Sequence, residues 1–160
     1  MEISKGDIFK LVVSILICQA AGLIGSIPNI EAIPNWYAGL NKPSFTPPNW
    51  LFAPVWTTLY LMMGMALFLI WKRGWGAPQV ATAIGLFAAQ LILNAAWSWL
   101  FFGLKLTFVA FLEILILWLM LLLTILKFRI LVPTAAYLMI PYLAWVGYAS
   151  VLNFSLWRLN

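Results

Sequence analysis

WYAGLNKPSFTPPNWLFAPVWTTLYLMMG, Trp36 to Gly64, sets Pro43, Pro47, Pro48 and Pro54 among Trp36, Trp50 and Trp56. Four prolines within twelve residues fix φ and remove backbone donors. The stretch up to Asn49 is therefore expected to be a stiff, extended, non-helical connection, the kind of loop that can act as a lid. From Leu51 the composition turns apolar, and Pro54 falls in the first turn of a helix, where a missing donor costs little.

Outward from that stretch the chain is almost entirely greasy. Hydrophobic residues make up 65% and charged residues 8% of 160 positions, far from the composition of a soluble domain. Apolar runs of about 20 residues match a bilayer core about 30 Å thick, and helices satisfy their own backbone in lipid. The expected fold is all-α, a single membrane domain (1–160) of five transmembrane helices at about 8–27, 51–71, 78–102, 107–126 and 131–157. A Pro/Trp-rich first loop, 28–49, joins the first two. Pro141 falls inside the fifth helix as an expected kink. The first run is read as a retained helix, because it is longer than a signal-peptide core and Ile17 precedes Cys18 where a lipoprotein signal needs a small residue.

Inventory excludes several chemistries. With no histidine and one cysteine, a zinc site, a Ser-His-Asp triad, a His-ligated haem and an internal disulfide lack their parts. The net charge of +5 lies on basic residues at helix ends, which are topology signals rather than a nucleic-acid surface. Lys5, Lys10, Lys72, Arg73, Lys127 and Arg129 fall on one side and Lys42, Lys105 and Arg158 on the other. That bias predicts a cytoplasmic N-terminus, with the first loop and the C-terminus on the opposite side of the cytoplasmic membrane rather than the outer membrane.

Three helical faces combine aromatics with amides: Phe52, Trp56, Tyr60, Met63 and Leu67; Gln90, Asn94 and Trp97; Tyr142, Trp145, Ala149 and Leu152. Such faces describe either a pocket wall for a large flat apolar ligand or ordinary helix packing. Trp71, Trp75 and Trp157, near span ends, are assigned to the interface belts. Glu113 is an acid well inside a span, a candidate for function or for a structural bond, for instance to Lys105. Ala81, Gly85 and Ala89 form a small-residue ridge that suits either an intramolecular contact or a homodimer seam.

The order W-Y, L-x-K-P, T-P-P, F-x-P-V-W-T-x-L-Y and M-G, with QLILNAAWSWLFF (90–102) and PYLAWVGYASVLN (141–153), resembles the tryptophan-rich sensory protein/translocator protein (TspO/MBR, peripheral benzodiazepine receptor) family in its bacterial form. The resemblance spans nearly the whole chain. It implies a membrane receptor or sensor that binds porphyrins, such as protoporphyrin IX, and similar aromatic molecules in a cavity between five helices under the first loop. Carried over by motif position, the lining is Trp36, Tyr37, Pro43, Trp56, Asn94, Trp97, Trp145, Ala149 and Leu152.

Light-dependent porphyrin degradation is reported for several bacterial members, and the tryptophans implicated match Trp56 and Trp145. Catalysis by these two residues is the alternative reading, and tetrapyrrole or lipid transport the second alternative. No cofactor is required, the porphyrin being a ligand, and the absence of histidine favours a metal-free one. Lys42, with Asn41 and Asn49, is the candidate contact for propionates, or else a solvated loop charge. Family dimers use the third helix, which implies a homodimer through Ala81, Gly85 and Ala89. LNFSLWR (152–158) lacks the tyrosine of the mammalian cholesterol motif, so cholesterol binding is not expected.

Overall fold

The computed structural model describes residues 4–74 and 76–160, so Trp75 and its interface assignment lie outside the described residues. Five helices long and apolar enough to cross a membrane account for most of them: α1 Lys5–Ala32, α2 Asn49–Trp71, α3 Pro78–Ser98, α4 Thr107–Leu131 and α5 Pro133–Leu159. A 3-10 turn, Tyr37–Gly39, lies in the first loop, and a π turn, Trp99–Gly103, extends α3. No strand occurs among the described residues. The chain is an all-α, multi-pass membrane protein.

Two reciprocal bonds open α1. Ser4 Oγ accepts the Asp7 N–H at 3.1 Å, and Asp7 Oδ2 accepts the Ser4 N–H at 3.2 Å, so two otherwise orphaned groups are satisfied together. The helix outruns its expected end at 27 and passes through Pro28 to Ala32. Proline there leaves the Ile24 carbonyl without an intrahelical donor. The Trp99 indole N–H fills that role at 3.1 Å, and a helix that sequence patterning would end at 27 gains five residues.

The other bounds shift for similarly local reasons. The extended part of the first loop is confined to about residues 40–48, where Leu40 and Pro48 take polyproline-like angles (φ −72°, ψ 145° and φ −63°, ψ 144°). α4 continues past its expected end at 126 to Leu131, carrying Lys127 and Arg129 in its last turns, where basic heads favour the helix dipole and reach toward water. Val132 alone separates α4 from α5; it adopts φ −147°, ψ 94° because Pro133 follows. α5 runs unbroken through Pro141 to Leu159.

The helices close a ring: α1 packs on α2 and α3, α2 on α5, α3 on α4, and α4 on α5. Small residues allow the closest approaches. A Cβ at Gly64 would stand 2.7 Å from Ile15 Cα, and one at Gly25 would stand 3.4 Å from Ala95 Cα. At one end of the ring Lys72 Nζ meets Asp7 Oδ2 at 3.0 Å. At the other end, Asn41 N–H donates to Asn160 Oδ1 (2.9 Å), and Asn160 Nδ2 donates back to the Asn41 carbonyl (3.0 Å). The Tyr148 hydroxyl donates to the Phe45 carbonyl at 2.6 Å. The proline-rich loop is therefore fastened over one mouth of the bundle.

Candidate functional site

Under the fastened loop lies an aromatic cavity whose walls come from every part of the ring except α4. Its lining takes Tyr37 from the loop, Phe52 and Trp56 from α2, Trp97 from α3, Phe101 and Phe102 from the π turn, and Trp145, Ala149 and Leu152 from α5. The rings brace one another. Trp97 stacks on Phe101 with centroids 5.2 Å apart, Phe52 meets Trp145 edge-on at 6.1 Å, and Trp56 stacks on Tyr60 at 5.5 Å while its edge faces Tyr142 at 6.0 Å.

The π turn shapes the floor. An α-helix through 102 was expected, yet the Leu104 N–H reaches back five residues to the Trp99 carbonyl at 2.8 Å. One added residue in the turn brings both Phe101 and Phe102 to the cavity. Phe101 is buried against Trp36, Tyr37, Trp97 and Phe102. Where the turn ends, Gly103 faces Pro28 of α1, 3.4 Å from the position a Cβ would take.

Not every tryptophan offers the cavity the same chemistry. The Trp97 indole N–H donates to Asn153 Oδ1 at 3.0 Å, and Asn153 Nδ2 donates to the Thr107 carbonyl at 2.8 Å, so this ring is a structural strut. Trp56 and Trp145 make ring contacts, and neither indole N–H has an acceptor among the described residues. Both N–H groups remain available to a ligand.

Six of the nine expected lining residues border this cavity: Tyr37, Trp56, Trp97, Trp145, Ala149 and Leu152. Trp36 instead lines an outer groove with Trp99 and Phe102, and Asn94 lines a neighbouring crevice. Pro43 lies in the loop, its carbonyl taking the Thr46 N–H at 3.0 Å and the Thr46 hydroxyl at 2.8 Å. Lys42 Nζ donates to the Ala38 carbonyl at 3.2 Å and sits 4.8 Å over the Tyr37 ring. Burial, with a smaller contribution from Tyr148, raises the Tyr37 phenol above its ordinary pKa, so the group under that ammonium is a neutral ring. Asn41 is occupied by the clasp to Asn160, whereas Asn49 borders the cavity.

The lower halves of the three aromatic faces belong to the core. Met63, Leu67, Gln90 and Tyr142 are buried, and neither polar atom of Gln90 has a partner. Glu113 is also buried with both oxygens unpartnered, so it makes no bond to Lys105. Residues absent from the sequence reading are Asn29, Ile33, Ser98, Phe101, Phe102, Asn153 and Leu156. The two phenylalanines stood in the quoted 90–102 block, but their direction depends on the π turn.

Beside the cavity, a crevice of about 420 Å³ opens between α1 and α2, compared with about 80 Å³ of free space in the aromatic cavity itself. Asn29, Ile33, Asn49, Phe52, Trp56 and Ser98 line both, so the two spaces meet along one seam. Ligand pockets for drug-sized molecules span about 300–1,000 Å³. A flat macrocycle would accordingly have to draw on the crevice or move the Phe52 and Trp56 partition.

A family model described as the TspO/MBR family matches residues 14–158. The chain is 42% identical over 154 residues to the tryptophan-rich protein TspO of Chlorobaculum tepidum, covering 96% of this chain and 98% of that one. It is 43% identical over 155 residues to the protein of the same name in Archaeoglobus fulgidus, covering 96% and 99%. The translocator protein of Homo sapiens is 41% identical over 126 residues, 78% of this chain and 75% of that relative.

Proposed function

The chain belongs to the TspO/MBR family, and on that basis we propose that it is a membrane receptor or sensor for porphyrins and similar flat aromatic molecules. One observation carries the reading. Aromatic side chains from the loop, α2, α3, the π turn and α5 converge on one enclosed space, and two of them, Trp56 and Trp145, keep an unpaired indole N–H. Conjugated rings stack on such faces, and an indole N–H is a directional donor inside an apolar pocket. No cofactor takes part; the porphyrin is the ligand.

The test is a titration of the detergent-solubilised protein with protoporphyrin IX. Tryptophan quenching is followed in the dark and the porphyrin absorption bands under illumination, for the wild type and Trp145→Phe. Saturable quenching in the dark is the expected result, and quenching that never saturates would refute the porphyrin reading. Light-dependent loss of the bands that disappears in the variant would move the assignment to a porphyrin-degrading enzyme. Ligand movement across sealed vesicles would move it to a transporter.

A homodimer is proposed through the α3 ridge. Ala81 and Gly85 face outward, nothing lies within 4 Å of a Cβ built at Gly85, and Ala89 is half-buried beside them. The charge bias supports a cytoplasmic N-terminus, with the fastened loop on the opposite side of the cytoplasmic membrane.

A further inference from the structure

At the seam between cavity and crevice three polar side chains arrive from three helices: Asn29 of α1, Asn49 at the start of α2 and Ser98 at the end of α3. None of their side-chain polar atoms has a partner among the described residues, and Asn29 Oδ1 is enclosed. Elsewhere around these spaces amides and hydroxyls are paired. Gln19 Nε2 donates to the Thr57 carbonyl at 3.1 Å, the Tyr60 hydroxyl donates to Asn94 Oδ1, and Asn153 holds Trp97. Three unpaired groups gathered at one place inside an apolar bundle form a polar surface with no use inside the protein.

Charge decides what that surface accepts. The crevice is lined by amides, hydroxyls and apolar groups, with no Lys, Arg, Asp or Glu among its residues. An anion brought there would leave water without gaining a cation, whereas an uncharged acceptor only exchanges hydrogen-bond partners. The outer rim carries Leu23, Ile30 and Ala53, all exposed on the flank of the bundle. A molecule dissolved in the bilayer can reach the seam between α1 and α2 while the loop stays fastened by Asn41, Asn160 and Tyr148.

We infer that Asn29, Asn49 and Ser98 form a neutral polar subsite, which takes an uncharged hydrogen-bonding arm of an aromatic ligand and discriminates against an anionic one. The inference rests on the receptor reading above and specifies the ligand class that reading leaves open. The aromatic body occupies the cavity and displaces the Phe52 and Trp56 partition. A neutral arm, such as an ester or an alcohol, lies along the crevice. Anionic arms stay at the aqueous mouth.

Three porphyrins that differ in their arms test this: octaethylporphyrin with alkyl groups only, protoporphyrin IX dimethyl ester with neutral polar arms, and protoporphyrin IX with carboxylates. Dissociation constants are measured by tryptophan quenching for the wild type, Asn29→Leu and Ser98→Ala. Each substitution is expected to weaken the ester by about three- to tenfold, the range of one net hydrogen bond. Octaethylporphyrin should stay within about twofold, which also reports that the variants fold. The diacid should change less than the ester.

Equal losses for all three probes would make these residues packing groups and overturn the subsite. Unchanged ester binding would overturn it as well, and a larger loss for the diacid would make it an anion site. Those outcomes leave the receptor reading standing. Failure of the wild type to saturate with any of the three would overturn both.

Discussion

Trp97→Phe is expected to remove one hydrogen bond while keeping a ring in place. The new ring can still stack on Phe101, now 5.2 Å from the indole, but Asn153 Oδ1 loses its donor in a side chain only 1% exposed. Stranding a buried acceptor costs about 1–3 kcal/mol in soluble proteins, while interhelical side-chain bonds in membranes average about 0.6 and reach about 1.7 kcal/mol. The upper part of the membrane range applies, because Asn153 Nδ2 grips the Thr107 carbonyl at 2.8 Å and prevents the amide from turning to another donor. The expected loss is therefore about 1.5 kcal/mol. Asn153→Ala loses both contacts and should cost about 2 kcal/mol, and the double variant should fall short of the sum by about 1 kcal/mol. Unfolding by SDS in mixed micelles, followed by far-UV circular dichroism, measures all three, provided the slope stays constant across variants. A coupling below about 0.3 kcal/mol, the scatter of independent sites, would refute the assignment of Trp97 as a strut.

Gly64→Ala should destabilise by about 1–3 kcal/mol through overpacking, since its Cβ would lie 2.7 Å from Ile15 Cα. Gly85→Ala, with nothing within 4 Å, should be neutral or stabilising by up to about 1 kcal/mol, and the two thermal midpoints read the contrast. Gly85→Leu should convert a detergent-solubilised dimer to monomers by size-exclusion chromatography with light scattering; an unchanged dimer would dispose of the α3 seam. Lys42→Ala should weaken a dicarboxylic porphyrin more than its dimethyl ester, and equal losses in the same quenching titration would remove Lys42 from propionate binding.

The five spans were legible because lipid imposes one demand, about 20 apolar residues with an internally bonded backbone. Their ends were less legible. Pro28 looks like a helix terminator until the Trp99 indole is seen taking the Ile24 carbonyl, a partner 75 residues away. Lys127 and Arg129 look like an end because charge is expected at the boundary, yet they ride inside the last turns of α4. For the site, periodicity located the faces but not the depth at which packing gives way to cavity. Phe52, Trp56 and Trp145 therefore line the space, while Met63, Leu67 and Tyr142 on the same faces are core. Phe101 and Phe102 could not be aimed from sequence, because no residue pattern announces a π turn.

That π turn amounts to a one-residue insertion written into a helix. Deleting a residue between Trp99 and Gly103 would let the segment relax to ordinary α-helical bonding, with better local geometry than it has now. The same deletion would rotate whatever follows by about 100°. Phe101 and Phe102 would leave the cavity floor, and the Thr107 carbonyl would swing from its place opposite Asn153. Along this one turn the shortest route to a more regular helix leads away from a binding protein, so selection for stability alone would erase the floor of the cavity.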